Sequence, residues 1–374
     1  MKIAVNTRLL LKDRLEGIGQ FTYETLRRIT KLHPEHQFFF LFDRKYDESF
    51  LFSDNVTPVV AHPQARHPYL WYLFFEYGIP LEIRKIKADL FLSTDGWIPT
   101  KLDIPIVNVI HDLNFLHHPE FVPPVVRRYY DRFFPKFARN ATRLATVSEY
   151  SRQDIIRSFG ISSDKVDVVF SGNNPAYRPL LEEQQGEVRR KYTGGSAYFL
   201  FVGLIHKRKN LDNIFRAFDI FKDRGSDSTK LVVVGDKKWW AGEIEDTYLK
   251  MSHRDDVLLL GRQPLDVVCE LTASAIAMVY TSLFEGFGLP IVDSFNAHVP
   301  IITSNVTAMP EIAGDAAILV DPNSPEQLAE AMCNLHQDKD LRSSLIEKEI
   351  VRKGLFTWDR TADLLWNTIE KVLP

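Results

Sequence analysis

Residues 275 to 293 read Ala-Ile-Ala-Met-Val-Tyr-Thr-Ser-Leu-Phe-Glu-Gly-Phe-Gly-Leu-Pro-Ile-Val-Asp, and this stretch decides the fold. Ala275 to Tyr280 is uncharged and reads as a buried strand. Gly286 and Gly288 flank Phe287, so a loop here can bring backbone N–H groups close to a ligand. Pro290 suits the first turn of a helix, where a missing N–H costs nothing. A strand, a glycine loop and a helix N-terminus follow one another, and the amides of Gly288 and Leu289 favour an anion such as phosphate. Glu285 stands on the loop, and Asp293 is expected in the first turn of the helix. Carboxylates accept hydrogen bonds from hydroxyls rather than from phosphate. A phosphate between two acids therefore describes a nucleotide sugar.

Working outward, the stretch resembles the E-x7-E signature of the retaining glycosyltransferases of GT-B fold, the large family that includes sucrose synthase and bacterial mannosyltransferases. Pro300 to Asn305 and Met309 to Pro322 continue in that family's order. The resemblance implies an α/β chain of two Rossmann-like, doubly wound domains facing across a cleft. It implies a donor site of Glu285, Gly286, Phe287, Gly288, Leu289 and Asp293, the last an Asp where the family carries Glu and binds the nucleotide ribose.

Upstream, Ala197 to Val202 is another strand, followed by Gly203 and a loop with three consecutive cations, Lys207, Arg208 and Lys209. Cations after a strand end can neutralise a departing diphosphate. The family has an Arg following this glycine and a Lys several residues later; here Lys209 matches the Lys, Leu204 takes the Arg position, and Arg208 or Lys207 is the compensating cation. Arg262 and Gln263, after the strand from Asp256, match a turn that lies against the nucleobase. Strands at Lys2 to Asn6, Gln37 to Phe42, Asn55 to Val60, Ala88 to Leu92, Ile104 to Ile110, Arg143 to Val147 and Val166 to Phe170 make an N-terminal α/β unit. Gly17 and Gly19 are expected in a loop opening a helix at Phe21; the resemblance places them beside the donor. His111 and Asp112 end a strand, where ligands of parallel sheets bind. By resemblance His111 faces the transferred sugar, and His111, Glu285 and Lys209 are the catalytic candidates. Asp112 and Ser148 are acceptor-side candidates, Ser148 also reading as a helix N-cap.

Residues 1–175 are expected to form the first domain and 176–355 the second, with 171–195 as the linker and a last helix, 356–374, packing back on the first. At 374 residues the chain is long enough for two cores. A net charge of -3 gives no reason to bind nucleic acid. His117 and His118 are read as surface residues, and Asp338-Lys339-Asp340 as solvated, so no metal and no cofactor is expected. Cys269 and Cys333 are read as reduced, buried thiols. Met1 to Asn6 enters a strand at once, and the expectation is a cytoplasmic protein. Two aromatic, basic stretches, 69–87 and 125–139, are either core with a solvated face or a peripheral contact with a membrane. The partners expected are a nucleotide sugar and a glycan or polyprenyl-linked acceptor, with mannose from GDP-mannose the favoured donor. The alternatives are a nucleotide-sugar-binding subunit with weakened catalysis and a sugar-nucleotide epimerase of the same fold.

Overall fold

The computed structural model describes all residues except 13, 14, 16, 226, 227, 237–239, 241 and 374. The chain divides into two compact units, Met1–Gly172 with Thr357–Pro374, and Asn173–Phe356.

The first unit contains strands β1 (Lys2–Asn6), β2 (Gln37–Phe42), β3 (Val56–Val60), β4 (Leu90–Ser93), β5 (Ile106–Val109), β6 (Arg143–Thr146) and β7 (Val166–Val168). They form one sheet in the order β3-β2-β1-β4-β5-β6-β7, and each neighbouring pair is parallel. Ile3, Phe38, Phe40, Phe91 and Val107 are wholly buried, as a parallel sheet covered on both faces requires. The order reverses between β1 and β4. Crossovers run to one side before that point and to the other after it, which leaves a crevice outside the carboxyl ends of β1 and β4.

Helix Gly17–Leu32 includes both glycines that the sequence reading left in a loop. A Cβ on Gly19 would come within 2.9 Å of the Leu9 carbonyl oxygen, so a tight approach of backbone explains this glycine. The stretch 69–87 is broken rather than continuous: helix Pro68–Leu73, a wide turn Phe74–Gly78, then helix Ile79–Ile86. Pro80 has no N–H to return to Glu76, which interrupts the ladder there. Terminal helix Trp358–Glu370 starts on Thr357, whose side chain accepts from the Arg360 N–H, and packs on helix Gly17–Leu32. Phe21 meets Trp358 edge to face at 6.2 Å.

The second unit holds β8 (Tyr198–Val202), β9 (Lys230–Val234), β10 (Val257–Gly261), β11 (Ala277–Tyr280), β12 (Ile301–Ser304) and β13 (Ile318–Val320). Its sheet runs β10-β9-β8-β11-β12-β13, again parallel throughout. The reversal falls between β8 and β11. Residues 173–195 belong to this unit and are not a linker. Helix Glu182–Thr193 is polar on most of its surface, but Val188 anchors it in a core with Tyr177, Tyr198 and Leu271.

Candidate active site

The loops after β8 and β11 are adjacent because their strands are hydrogen-bonded neighbours at the reversal. After β8 the chain passes Gly203 and makes a single tight turn, Lys207–Lys209. The His206 ring caps that turn, its Nδ1 accepting from the Arg208 N–H at 3.1 Å. Asn210 then adopts φ 61°, a left-handed conformation that Asn tolerates. Its side-chain amide donates to the carbonyls of Thr281 at 3.0 Å and Pro322 at 2.6 Å, tying the two loops. The Leu283 N–H donates to the Arg208 carbonyl at 2.8 Å.

Between the stitched loops sit two cations and one acid. Lys209 Nζ lies 2.6 Å from Glu285 Oε1, and Arg208 Nη1 lies 2.6 Å from Glu285 Oε2. Lys209 also donates to the Tyr280 phenol at 2.8 Å, and Arg208 to the Phe284 carbonyl at 2.8 Å. Burial alone would raise the Glu285 carboxyl; Arg208 and Lys209 outweigh it and hold the group at about 2. Burial, with the Glu285 charge added, pushes the Tyr280 phenol well above its ordinary range, so it remains a hydrogen-bond donor. The arrangement holds two positive groups at one point against their mutual repulsion.

Gly286, Phe287, Gly288 and Leu289 follow directly. Phe287 is buried with its ring 5.6 Å from Phe356, and it packs the loop from behind. Gly288, at φ 100°, caps helix Leu289–Ala297, and Pro290 sits in the first turn as its sequence required. Asp293 falls one turn later than expected. Its Oδ1 accepts from the Asn174 N–H at 3.1 Å, and Asn296 Nδ2 donates to the Asn174 carbonyl at 3.0 Å. The residue is half-buried; burial raises its carboxyl to about 7, and the Asn174 N–H only partly opposes the rise. Leu204 is exposed. Arg262 is exposed, and Gln263 donates to the Leu260 carbonyl at 2.6 Å.

In the first unit, His111 follows β5 and its Nε2 bonds the Thr94 carbonyl at 2.8 Å. A carbonyl only accepts, so the proton is on Nε2 and Nδ1 is the basic nitrogen. Burial lowers the imidazole's pKa, with Thr94, Asp112 and Asp95 opposing, and the ring is neutral at pH 7. Phe21 packs edge-on against it at 4.9 Å. Asp112 caps the next turn by accepting from the Asn114 N–H at 2.9 Å. Ser148 is buried and accepts from the Ser151 N–H at 3.1 Å, a helix cap. Gly17 is exposed at the start of its helix.

His117 and His118 each have an acidic partner: Asp154 at 2.8 Å and Glu120 at 3.1 Å. Asp338 caps helix Lys339–Arg352, and Asp338 and Asp340 are exposed. Cys269 and Cys333 are free but only half-buried. No cluster of three or more residues suited to a metal occurs among the described residues. Nor is any described helix long and apolar enough to cross a membrane.

Residues 185–352 match the family described as Glycosyl transferases group 1, and residues 15–177 match Glycosyltransferase Family 4. The chain belongs to the GT-B glycosyltransferases. O-antigen chain mannosyltransferase B of Escherichia coli is 26% identical over 278 residues, 74% of this chain and 73% of that protein. Sucrose-phosphate synthase of Thermosynechococcus elongatus superposes with a TM-score of 0.78 at 15% identity, covering 99% of this chain and 98% of the other. Anabaena HepE in complex with UDP-glucose gives 0.74 at 14%, covering 99% and 100%.

Four polar residues at the two sheet reversals of this glycosyltransferase escaped the sequence reading. Tyr280 ends β11 and was counted only as an apolar strand residue. In the first unit, Arg8 Nε meets Asp95 Oδ2 at 2.6 Å, outside the carboxyl ends of β1 and β4, and its guanidinium lies 4.6 Å from the Trp97 ring. Asn6 Nδ2 donates to Asp95 Oδ1 at 2.8 Å. Arg8 and Asp95 each follow a strand by two residues, and that offset was the available signal.

Proposed function

We propose that the chain transfers a glycosyl group from a nucleoside diphosphate sugar to a hydroxyl of a glycan or lipid-linked oligosaccharide, with the anomeric configuration retained. One observation carries this: Arg208, Lys209 and Glu285 converge where the strand order of the second unit reverses. As the sugar–phosphate bond loosens, negative charge grows on the diphosphate. Arg208 and Lys209 stabilise it, assisted by the amides of Gly288 and Leu289. Glu285 keeps the cations together and accepts from a sugar hydroxyl. In the first unit, neutral His111 offers a hydrogen bond to a sugar hydroxyl. Transfer needs no metal, because the two cations supply the charge. Glycan synthesis at the cytoplasmic side of a membrane, with peripheral contact, completes the reading.

Support for a nucleotide sugar comes from HepE, whose structure holds UDP-glucose, and for mannose from the E. coli mannosyltransferase. The competing reading is a nucleotide-sugar-binding subunit of weakened activity. It draws on Asp293, engaged with Asn174, and on exposed Leu204. A thermal-shift panel of GDP-, UDP- and ADP-sugars tests binding, since a ligand of the folded state raises its melting point. Radiolabelled GDP-mannose with a lipid-linked acceptor then tests transfer. Labelled product with EDTA present supports the reading. A shift without product leaves the binding subunit, and a changed donor without acceptor product leaves the epimerase.

A further inference from the structure

Residues 93–97, where β4 ends, are held by a set of polar side chains at the sheet reversal of the first unit. Asp95 is buried among them. Its Oδ2 accepts from Arg8 Nε at 2.6 Å, and its Oδ1 accepts from Asn6 Nδ2 at 2.8 Å and from the Trp97 N–H at 3.2 Å. Ser93 Oγ donates to the Trp97 carbonyl at 2.7 Å, and Asn108 Nδ2 to the Gly96 carbonyl at 3.1 Å. The Arg8 side chain is only 10% exposed, its guanidinium 4.6 Å from the Trp97 ring. Apolar residues of similar volume often hold a buried position as well as an ion pair does. What sets this pair apart is the direction of its bonds.

Thr94, between Ser93 and Asp95, is held from the other side as well. Thr22 Oγ1, on helix Gly17–Leu32, donates its one proton to the Ile18 carbonyl at 2.9 Å. Thr94 Oγ1 is therefore the donor in the contact of the two hydroxyls at 2.8 Å. With its own side chain tied to that helix and Asp95 tied to Asn6 and Arg8, Thr94 presents its carbonyl to His111 Nε2 at 2.8 Å. Phe21, beside Thr22 in sequence, meets the imidazole edge-on at 4.9 Å. Phe21 and Thr22 thus hold both partners of that hydrogen bond.

The hydrogen bond made by one imidazole nitrogen decides which of the two carries the proton. We infer that Asp95 is a positioning residue for His111, fixing the Thr94 carbonyl on Nε2 so that Nδ1 stays unprotonated and accepts from a hydroxyl of the transferred sugar. Asp95 acts through Thr94 and touches no reacting atom. In the opposite tautomer Nδ1 becomes a donor, and Nε2 meets the Thr94 carbonyl lone pair to lone pair. A turn that cannot move Thr94 excludes that state. This role rests on the transfer proposed for His111, and it gives Arg8 and Asp95 a part in it.

Nitrogen-15 spectra of histidine-labelled full chain at pH 8 read the tautomer, with His111→Gln assigning the signal. Wild type is expected to carry the proton on Nε2 alone. Asp95→Asn keeps the shape but sets an amide N–H against Arg8 Nε, which loosens the turn. It is expected to show His111 exchanging between tautomers. Its kcat with GDP-mannose and a lipid-linked acceptor is expected to fall about 10- to 100-fold, the range for a small misplacement near the chemistry. Thr22→Val removes the second hold on Thr94 and should shift the tautomer the same way, less far. A wild-type tautomer in Asp95→Asn overturns the inference, as it does in Thr22→Val should Asp95→Asn fail to fold. A proton on Nδ1 in wild type overturns it too, as does an altered tautomer with unchanged kcat. Absence of turnover in wild type defeats the transferase reading alone, and the tautomer comparison still decides what Asp95 holds.

Discussion

Lys209 Nζ and Glu285 Oε1 lie 2.6 Å apart although 76 residues separate them in sequence. The chain between them forms β9, β10 and their helices, and it returns because β11 pairs directly with β8. The ion pair is therefore a product of sheet order. It also fixes the ammonium group before any ligand arrives, which lowers the ordering cost of binding a diphosphate.

Lys209→Met is expected to lower kcat/KM about 100- to 1,000-fold, the range for losing one donor at a developing negative charge. Lys209→Arg keeps the charge but not the compact ammonium between Glu285 and Tyr280, and should recover only part of the rate. Steady-state kinetics with a soluble acceptor measures both. Equal rates in wild type and Lys209→Met would remove the lysine from the mechanism.

Glu285 requires a choice of variant that the sequence did not indicate. Its carboxylate balances two partly buried cations, so Glu285→Ala leaves Arg208 and Lys209 repelling each other. That variant should lose activity and about 2 kcal/mol of stability, less than a fully buried pair because Arg208 remains partly exposed. Because the Glu285 carboxyl lies near 2, below its ordinary 4.5, the stability it contributes is present above pH 5 and fades as pH falls through the folded value. Wild type and Glu285→Ala should thus converge in melting temperature toward pH 2. Glu285→Gln, closer in shape, separates the chemical role from the structural one.

The central parallel strands were legible because they are short apolar runs buried on both faces, with no alternation to confuse them. The loops after β8 and β11 were legible from glycine, proline and charge. Residues Glu182 to Tyr192 could be read as a short charged helix, but not as part of the second unit, since Val188 and Thr193 alone are buried and the rest of the sequence resembles a solvated linker. Arg8 and Asp95 were missed for a different reason. Their meeting depends on β1 lying beside β4, a pairing that sequence order does not announce. Nothing in the sequence announces that Asp293 meets the Asn174 N–H, because a backbone donor carries no signature there.

Gly235 gives a steric test of the second unit's crevice. A Cβ there would stand 1.9 Å from the Gly203 carbonyl oxygen, and backbone cannot yield as a side-chain tip can. Gly235→Ala should cost about 3 kcal/mol, the upper end for overpacking, and move Gly203 and the loop that carries Lys209. Thermal unfolding should show the loss, and the nucleotide-sugar thermal shift should shrink with it. A variant that melts like wild type would mean that the two strand ends separate more easily than their packing indicates.

Asp293 connects charge to stability with the opposite sign from Glu285. Burial raises its carboxyl to about 7, above the ordinary 3.8. Between about pH 4 and pH 7 the unfolded chain releases a proton that the folded chain keeps, so rising pH favours unfolding by up to about 1.4 kcal/mol per unit. Above pH 7 the penalty is complete. Asp293→Asn carries no such charge and retains an oxygen to accept from the Asn174 N–H. It should therefore be more stable than wild type at pH 8, by about 4 kcal/mol, and the two should converge near pH 4. Urea unfolding at the two pH values measures this. If the variant is instead less stable than wild type at pH 8, the carboxylate is charged in the folded protein and its grip on Asn174 is stabilising there.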